Sequence, residues 1–202
     1  MGKEPRRLMP ERMRAVTATL SRRDAPRAAG ELAAATAFAA LTALGARVSF
    51  HVPGTPVPVT GQVFCVLLAG GALGPRLGFI AMAEYLAAGA AGLPVFAHGG
   101  GPAALAAPSG GYLIAFPAAA LMVGALAGRS WWRTLGACLA GVLVIHAGGA
   151  AWLGVWQGLA GAPAGLFGVL AQSFAPFALV DAVKAVAAAS ALAGVRRLVR
   201  AR

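Results

Sequence analysis

Charge is what this chain lacks. Only 11% of its 202 residues are charged, against roughly 25% in a soluble domain. Six residues are acidic. A water-soluble fold made from a chain that is 59% hydrophobic, with a mean hydropathy of +0.75, would expose large apolar patches and aggregate. The bilayer is the solvent that suits it. Cysteine is scarce too. Cys65 and Cys138 both fall in apolar runs, which excludes a disulfide framework and reads as two small buried hydrophobes. No His/Cys cluster has zinc-ligand spacing, so no metal is expected. The only Gly-Lys step is Gly2-Lys3, so the phosphate-binding loop of the common ATPases is missing. Neither a Gly-x-Ser-x-Gly elbow nor a His-Glu-x-x-His pair is present. The expectation is a protein with no catalytic residues and no cofactor, whose uphill work, if any, is driven by a partner or an ion gradient.

What charge there is lies at the ends. Eight basic residues stand in the first 27 (Lys3, Arg6, Arg7, Arg12, Arg14, Arg22, Arg23 and Arg27), and Arg196, Arg197, Arg200 and Arg202 close the chain. The net charge of +11 would suit nucleic acid by magnitude. Its placement beside apolar segments instead marks the cytoplasmic side of a membrane and contact with anionic lipid. No nucleic-acid partner is expected.

A spanning helix needs about 20 mostly apolar residues, fewer where neighbours bury its ends. Six candidates follow one another: residues 31–48, 62–73, 75–91, 111–127, 131–153 and 176–199. The Gly74-Pro75 step separates the second from the third, since proline suits a first helical turn. The second is short and is expected to be tilted or shielded inside the bundle. With the N-terminus inside, 15 of the 17 basic residues fall on the cytoplasmic side, Arg47 falls outside, and Lys184 lies within the last helix. An odd number of spans would send the two basic ends to opposite faces. Residues 1–28 read as a basic cytoplasmic tail, and 29–202 as the membrane domain. A cleaved signal is the rival for the N-terminus, but the basic region is too long for one and apolar segments continue to the end of the chain.

Three outer connections, residues 51–61, 93–110 and 154–175, are long, nearly uncharged and rich in Gly, Pro and apolar residues. Such segments suit lids over a cavity mouth better than solvated links. Residues 163–172 read as a short helix lying on that surface. The fold class is therefore all-α: a polytopic membrane protein of six transmembrane helices, both termini cytoplasmic, with long apolar outer loops acting as lids.

Ionisable groups at membrane depth are costly, about 2.5–3.5 kcal/mol each at a helix centre, and usually mark a site. Asp181 and Lys184 are three apart in the last segment, so they share a helical face. They suit a ligand that offers both N–H donors and an acceptor. A self-neutralising structural pair is the plainer reading. Glu84, in the third segment, is open between a structural and a functional role. Gln62 offers donors and an acceptor to an amide-like ligand, and Thr60 just before it joins the candidate site or caps the helix. Tyr85, Phe96 and Tyr112 suit an aromatic cage for an apolar ligand. Trp152 and Trp156 suit an interfacial belt. His51 and His98 read as loop residues. Ala35, Ala39 and Ala43 form a small-residue stripe, either for packing or for docking a partner protein.

Four stretches together resemble the BioY family, the substrate-binding components of energy-coupling-factor biotin transporters. They are PVPVTGQVF (56–64), EYLAAGAAGLPVFA (84–97), PSGGYLIAFP (108–117) and FAPFALVDAVKAV (174–186). The resemblance implies six helices in the cell membrane of a prokaryote, with biotin held near the outer face under loop lids. It implies Asp181 and Lys184 as ligand-binding residues, with Gln62, Tyr85 and Tyr112 beside them. It also implies a membrane scaffold subunit and two ATPases as partners, or a solitary or self-associated transporter. The rivals are a substrate-binding component for another vitamin, an intramembrane enzyme using Glu84 or Asp181, and an assembly protein with no ligand.

Overall fold

The computed structural model describes residues 11–200, with side chains over 26–199. Residues 1–10 of the expected basic tail lie outside the described residues. The chain forms two units, residues 1–33 and 34–202. In the first, the described part is helical throughout and Arg27 pairs with Glu31 one turn away.

The elements in chain order are α1 (Glu11–Gly45), β1 (Ser49–Phe50), β2 (Val59–Thr60), α2 (Gln62–Ala90), α3 (Pro102–Ala106), α4 (Gly110–Leu126), α5 (Trp131–Leu159), α6 (Leu166–Phe174) and α7 (Ala178–Arg200). Four stretches are long and apolar enough to cross a membrane: Pro26–Gly45, α2, α5 and Ala178–Val199. The 17-residue α4 is a shorter apolar helix. α2 is two arms rather than one rod. Gly74 stands at φ 81° and ψ 179°, a conformation essentially reserved for glycine. Pro75, its φ already helical, opens the second arm. The arms 62–73 and 75–90 fold back together, and Gly70 and Gly78 meet where they touch.

The core is built from small residues. Ala69, Ala81, Ala119, Ala120, Ala185 and Ala188 are fully buried, with Val66, Leu67, Met82 and Ile145 between them. Large apolar side chains point the other way: Leu143, Val155, Leu179 and Val183 are all more than half exposed. Lipid removes the penalty for exposing leucine, and small residues let helix backbones approach closely. α4 packs most extensively, between α2 and α5. The short first arm of α2 is shielded, with Gln62, Val63, Cys65, Val66, Leu67, Ala69 and Gly70 buried along it.

Three boundaries differ from the sequence reading. The first helix begins at Glu11, not residue 31, so part of the basic tail is helical. The fifth runs six residues beyond 153, because Val155, Trp156 and Leu159 continue the helix until Gly161. There a φ of 73° turns the chain, and the N–H groups of Ala160, Gly161 and Ala162 close on carbonyls of the last turn. The loop after it is correspondingly shorter, and α6 occupies Leu166–Phe174 rather than 163–172. The connection over 51–61 carries a small antiparallel ribbon at its ends, Ser49 against Thr60 and Phe50 against Val59, so the mostly helical fold is not wholly α.

Candidate functional site

Three helices begin at one end of the bundle. Gln62 is the first residue of α2, Tyr112 the third of α4, and Asp181 lies in the first turn of α7. Helix N-termini carry partial positive charge, so their gathering favours an anion or a strong hydrogen-bond acceptor between them. A cavity of ≈ 60 Å³, measured to water centres, opens there, several times what one water needs. Its polar lining is Thr60, Gln62, His98, Ser109, His146, Asp181 and Lys184; Phe96, Tyr112, Phe116 and Phe177 form aromatic walls.

The charged floor is a triad. Asp181 is 2% exposed. Its Oδ1 accepts from Lys184 Nζ at 2.7 Å, and its Oδ2 lies 2.9 Å from His146 Nε2. His146, 3% exposed, reaches from α5 and sets its Nδ1 2.8 Å from the backbone carbonyl of Ser173. A carbonyl only accepts, so Nδ1 carries a proton. Nε2 faces a carboxyl oxygen, and two lone pairs at that distance would repel, so one further proton sits between them. Whichever atom holds it, the histidine–aspartate pair is neutral and the triad keeps the single positive charge of Lys184. Three ionisable groups are thereby accommodated largely out of solvent through their mutual pairing. Lys184 has used one of three N–H groups, and its side chain is 15% exposed.

Aromatic packing fixes the triad. Tyr112, Phe174 and Phe177 surround the imidazole with ring centroids 5.0–5.8 Å away. The Tyr112 hydroxyl donates to the same Ser173 carbonyl at 3.3 Å. Its ring lies flat on Gly149, where a side-chain carbon would have no room. On the opposite wall, the Gln62 amide donates to the Tyr85 hydroxyl, which donates to Val95 O at 3.0 Å. Thr60 Oγ1 accepts from the Gln62 backbone N–H at 3.3 Å, so it serves the start of α2 while also facing the cavity.

Six of the residues singled out from sequence, Thr60, Gln62, Phe96, Tyr112, Asp181 and Lys184, line this one cavity. Tyr85 does not. It is 1% exposed and stands behind Gln62 and Phe96, its ring edge-on to Phe96 at 5.3 Å. Glu84 does not line it either and accepts from Thr36 Oγ1 at 3.0 Å. Of the Ala35, Ala39 and Ala43 stripe, Ala35 is fully buried and the other two are partly buried and packed on the core. His98, read as a loop residue, joins the lining, and its ring lies 5.5 Å from that of His51. His146 escaped the sequence reading. Its signal was there: it is the one histidine of three that falls inside an apolar segment.

The segment over the mouth is tied down. Gly101 N–H donates to Gly89 O at 2.7 Å, the Trp152 indole donates to Ala107 O at 2.9 Å, and Arg47 donates to Pro94 O. α6 is held to α5 by Gln157 and Gln172 at 2.9 Å, while its Leu166 and Phe167 stay exposed. The arrangement suits a guest with a negative or strongly accepting end, some N–H donors and an apolar body.

Comparisons with known proteins agree with this chemistry. The model of the BioY family matches residues 13–201. The probable biotin transporter BioY of Pyrococcus horikoshii is 43% identical over 161 residues, covering 79% of this chain and 92% of that one. The biotin transporter BioY of Thermotoga maritima is 38% identical over 157 residues, covering 75% and 87%. Among solved structures, the crystal structure at 2.1 Å of the S-component for biotin from an ECF-type ABC transporter superposes with a TM-score of 0.75 at 26% identity. That match covers 85% of this chain and 93% of the other.

Proposed function

The chain belongs to the BioY family, and from that premise we propose that it takes up biotin across the cytoplasmic membrane of a prokaryote, as the S component of an energy-coupling-factor transporter. Its activity is binding and transport, not turnover. The observation that carries the site assignment is the His146–Asp181–Lys184 triad opening into an aromatic-walled cavity. Biotin has two ureido N–H groups, a ureido carbonyl, a thioether ring and a carboxylate tail. The unused lone pairs of Asp181 take an N–H. The free N–H groups of Lys184 take an acceptor, the carboxylate or the ureido carbonyl. Phe96, Tyr112, Phe116 and Phe177 enclose the apolar middle, with Gln62 and Thr60 on the wall beside them.

In this reading the two arms of α2 cross separately. With α1, α4, α5 and α7 they make six spans, both termini are cytoplasmic, residues 1–28 form the inner tail, and the cavity faces outward under the 93–110 segment. As the S component of such a transporter, the chain works with a membrane scaffold subunit and two ATPases that supply the energy. Their co-purification with the tagged chain from its native host is the expected result.

Titration of purified protein with biotin tests the ligand. Tight, saturable binding of one biotin per chain is expected, and the methyl ester of biotin then tells which acceptor meets Lys184: weakened binding marks the carboxylate, retained binding the ureido carbonyl. No biotin binding alongside tight binding of another vitamin sinks the assignment.

A further inference from the structure

α7 runs from the cavity to the opposite end of the bundle, Asp181 to Arg196, about 22 Å at 1.5 Å per residue. A second pocket of ≈ 120 Å³ lies there, lined by Arg129, Trp131, Ala193, Arg196 and Arg197. Its arginines differ in kind. Arg196 is part of the frame: its guanidinium donates to the carbonyls of Gly128 and Gly71 and to Thr134 Oγ1. Trp131 is held by a 3.2 Å bond from its indole to Ser190 Oγ. Arg129 and Arg197 are exposed and have no hydrogen-bond or carboxylate partner among the described residues. The described carboxylates are engaged elsewhere: Glu31 with Arg27, Glu84 with Thr36, Asp181 with His146 and Lys184. From Glu84 to the C-terminus the sequence holds one acid, Asp181.

The geometry points to a site for the phosphate of an anionic phospholipid headgroup, gripped by Arg129 and Arg197 over the fixed Arg196, with Trp131 at its side. Guanidinium forks match phosphate oxygens in pairs, and basic pockets between spanning helices on the cytoplasmic side suit such headgroups. The surroundings favour a lipid over a free phosphate ion. The pocket opens at the ends of two membrane-length helices beside Trp132, Val195 and Leu198, each more than half exposed, a surface suited to acyl chains and to the interfacial belt. Placement on the cytoplasmic side rests on the orientation proposed above; the headgroup contact itself does not depend on what the outer cavity binds.

The test uses the purified full-length chain in phosphatidylcholine nanodiscs, with and without phosphatidylglycerol, read by thermal unfolding and by native mass spectrometry of retained lipid. The wild type is expected to gain a few degrees in Tm with phosphatidylglycerol and to retain it in preference to phosphatidylcholine. The double variant R129Q/R197Q is expected to lose that preference, affinity falling roughly five-fold per arginine removed. Equal Tm in both lipid mixtures overturns the proposal. So does a monodisperse R129Q/R197Q protein with the full wild-type response. If that variant does not elute as a single species, R129K/R197K, which keeps charge but loses the fork, replaces it, and an undiminished response there counts against the site. Inorganic phosphate alone is expected to leave Tm unmoved; a shift equal to that of phosphatidylglycerol assigns the pocket to a soluble anion and overturns the lipid.

Discussion

At one end of the bundle a lysine and a histidine close on a single carboxylate, and the aspartate and histidine are all but sealed from solvent. At the other, three arginines gather with no described carboxylate among them, and two of the three stand exposed. Each end carries excess positive charge, but the surroundings set its use. In a low-dielectric cavity an unpaired ion is prohibitive, so charge appears only with its partner, and Lys184 keeps two N–H groups to offer. At a wet, lipid-facing edge, lone guanidinium groups cost little and attract anions. The same residue type therefore carries different weight at the two ends, and substitution should show it.

The largest contrast is expected between Lys184→Ala and Arg129→Ala in biotin binding. Truncating one member of a buried, hydrogen-bonded charge pair costs about 2–5 kcal/mol, roughly thirty-fold or more in Kd. Arg129 is remote from the cavity and should change Kd by less than about two-fold. Calorimetry on both variants decides it, and similar losses would mean that the triad is not the ligand site. A smaller effect is expected from His146. Replacement by Leu leaves Asp181 Oδ2 without its partner and the Ser173 carbonyl with only the longer bond from Tyr112, at about 1–3 kcal/mol for a buried unsatisfied group, or some five- to hundred-fold in Kd. His146→Gln can restore one of those two bonds and should recover part of the loss. If Leu and Gln behave alike, the imidazole matters only as a space-filler.

How much of this was legible in the sequence follows from the range over which each force acts. The apolar segments could be read because hydropathy is local, and the break at Gly74-Pro75 because backbone chemistry is local. The end of α5 was misplaced at 153 because glycines at 154 and 158 look like loop, whereas the helix runs through both until Gly161, at positive φ, turns the chain. The β1–β2 ribbon is two residues per strand, too short for any periodicity. Asp181 and Lys184 announced themselves as charges one turn apart within an apolar run. His146 did not, because its partner lies 35 residues away on another helix and nothing between them encodes the meeting. The alanine stripe shows the converse: small residues at four-residue spacing mark close packing without saying whether the neighbour is the same chain or another.

Tyr85 sharpens the comparison within the cavity end itself, since it is buried beside the site without lining it. Its hydroxyl accepts from Gln62 and donates to Val95 O, so it sets the Gln62 amide and ties the segment that carries Phe96 to the second arm of α2. Tyr85→Phe keeps the ring against Phe96 and Phe116 and removes only those two bonds. Neutral hydrogen bonds are worth about 0.5–1.5 kcal/mol each, but the freed Gln62 amide faces the cavity and finds ligand or water there, so much of the loss is recovered. A three- to ten-fold rise in Kd for biotin, roughly 0.7–1.4 kcal/mol, is therefore expected, with release quickened because the strap over the mouth is less restrained. A loss as large as that from Lys184→Ala would instead place Tyr85 in direct contact with the ligand, and the wall of the cavity would have to open to admit it.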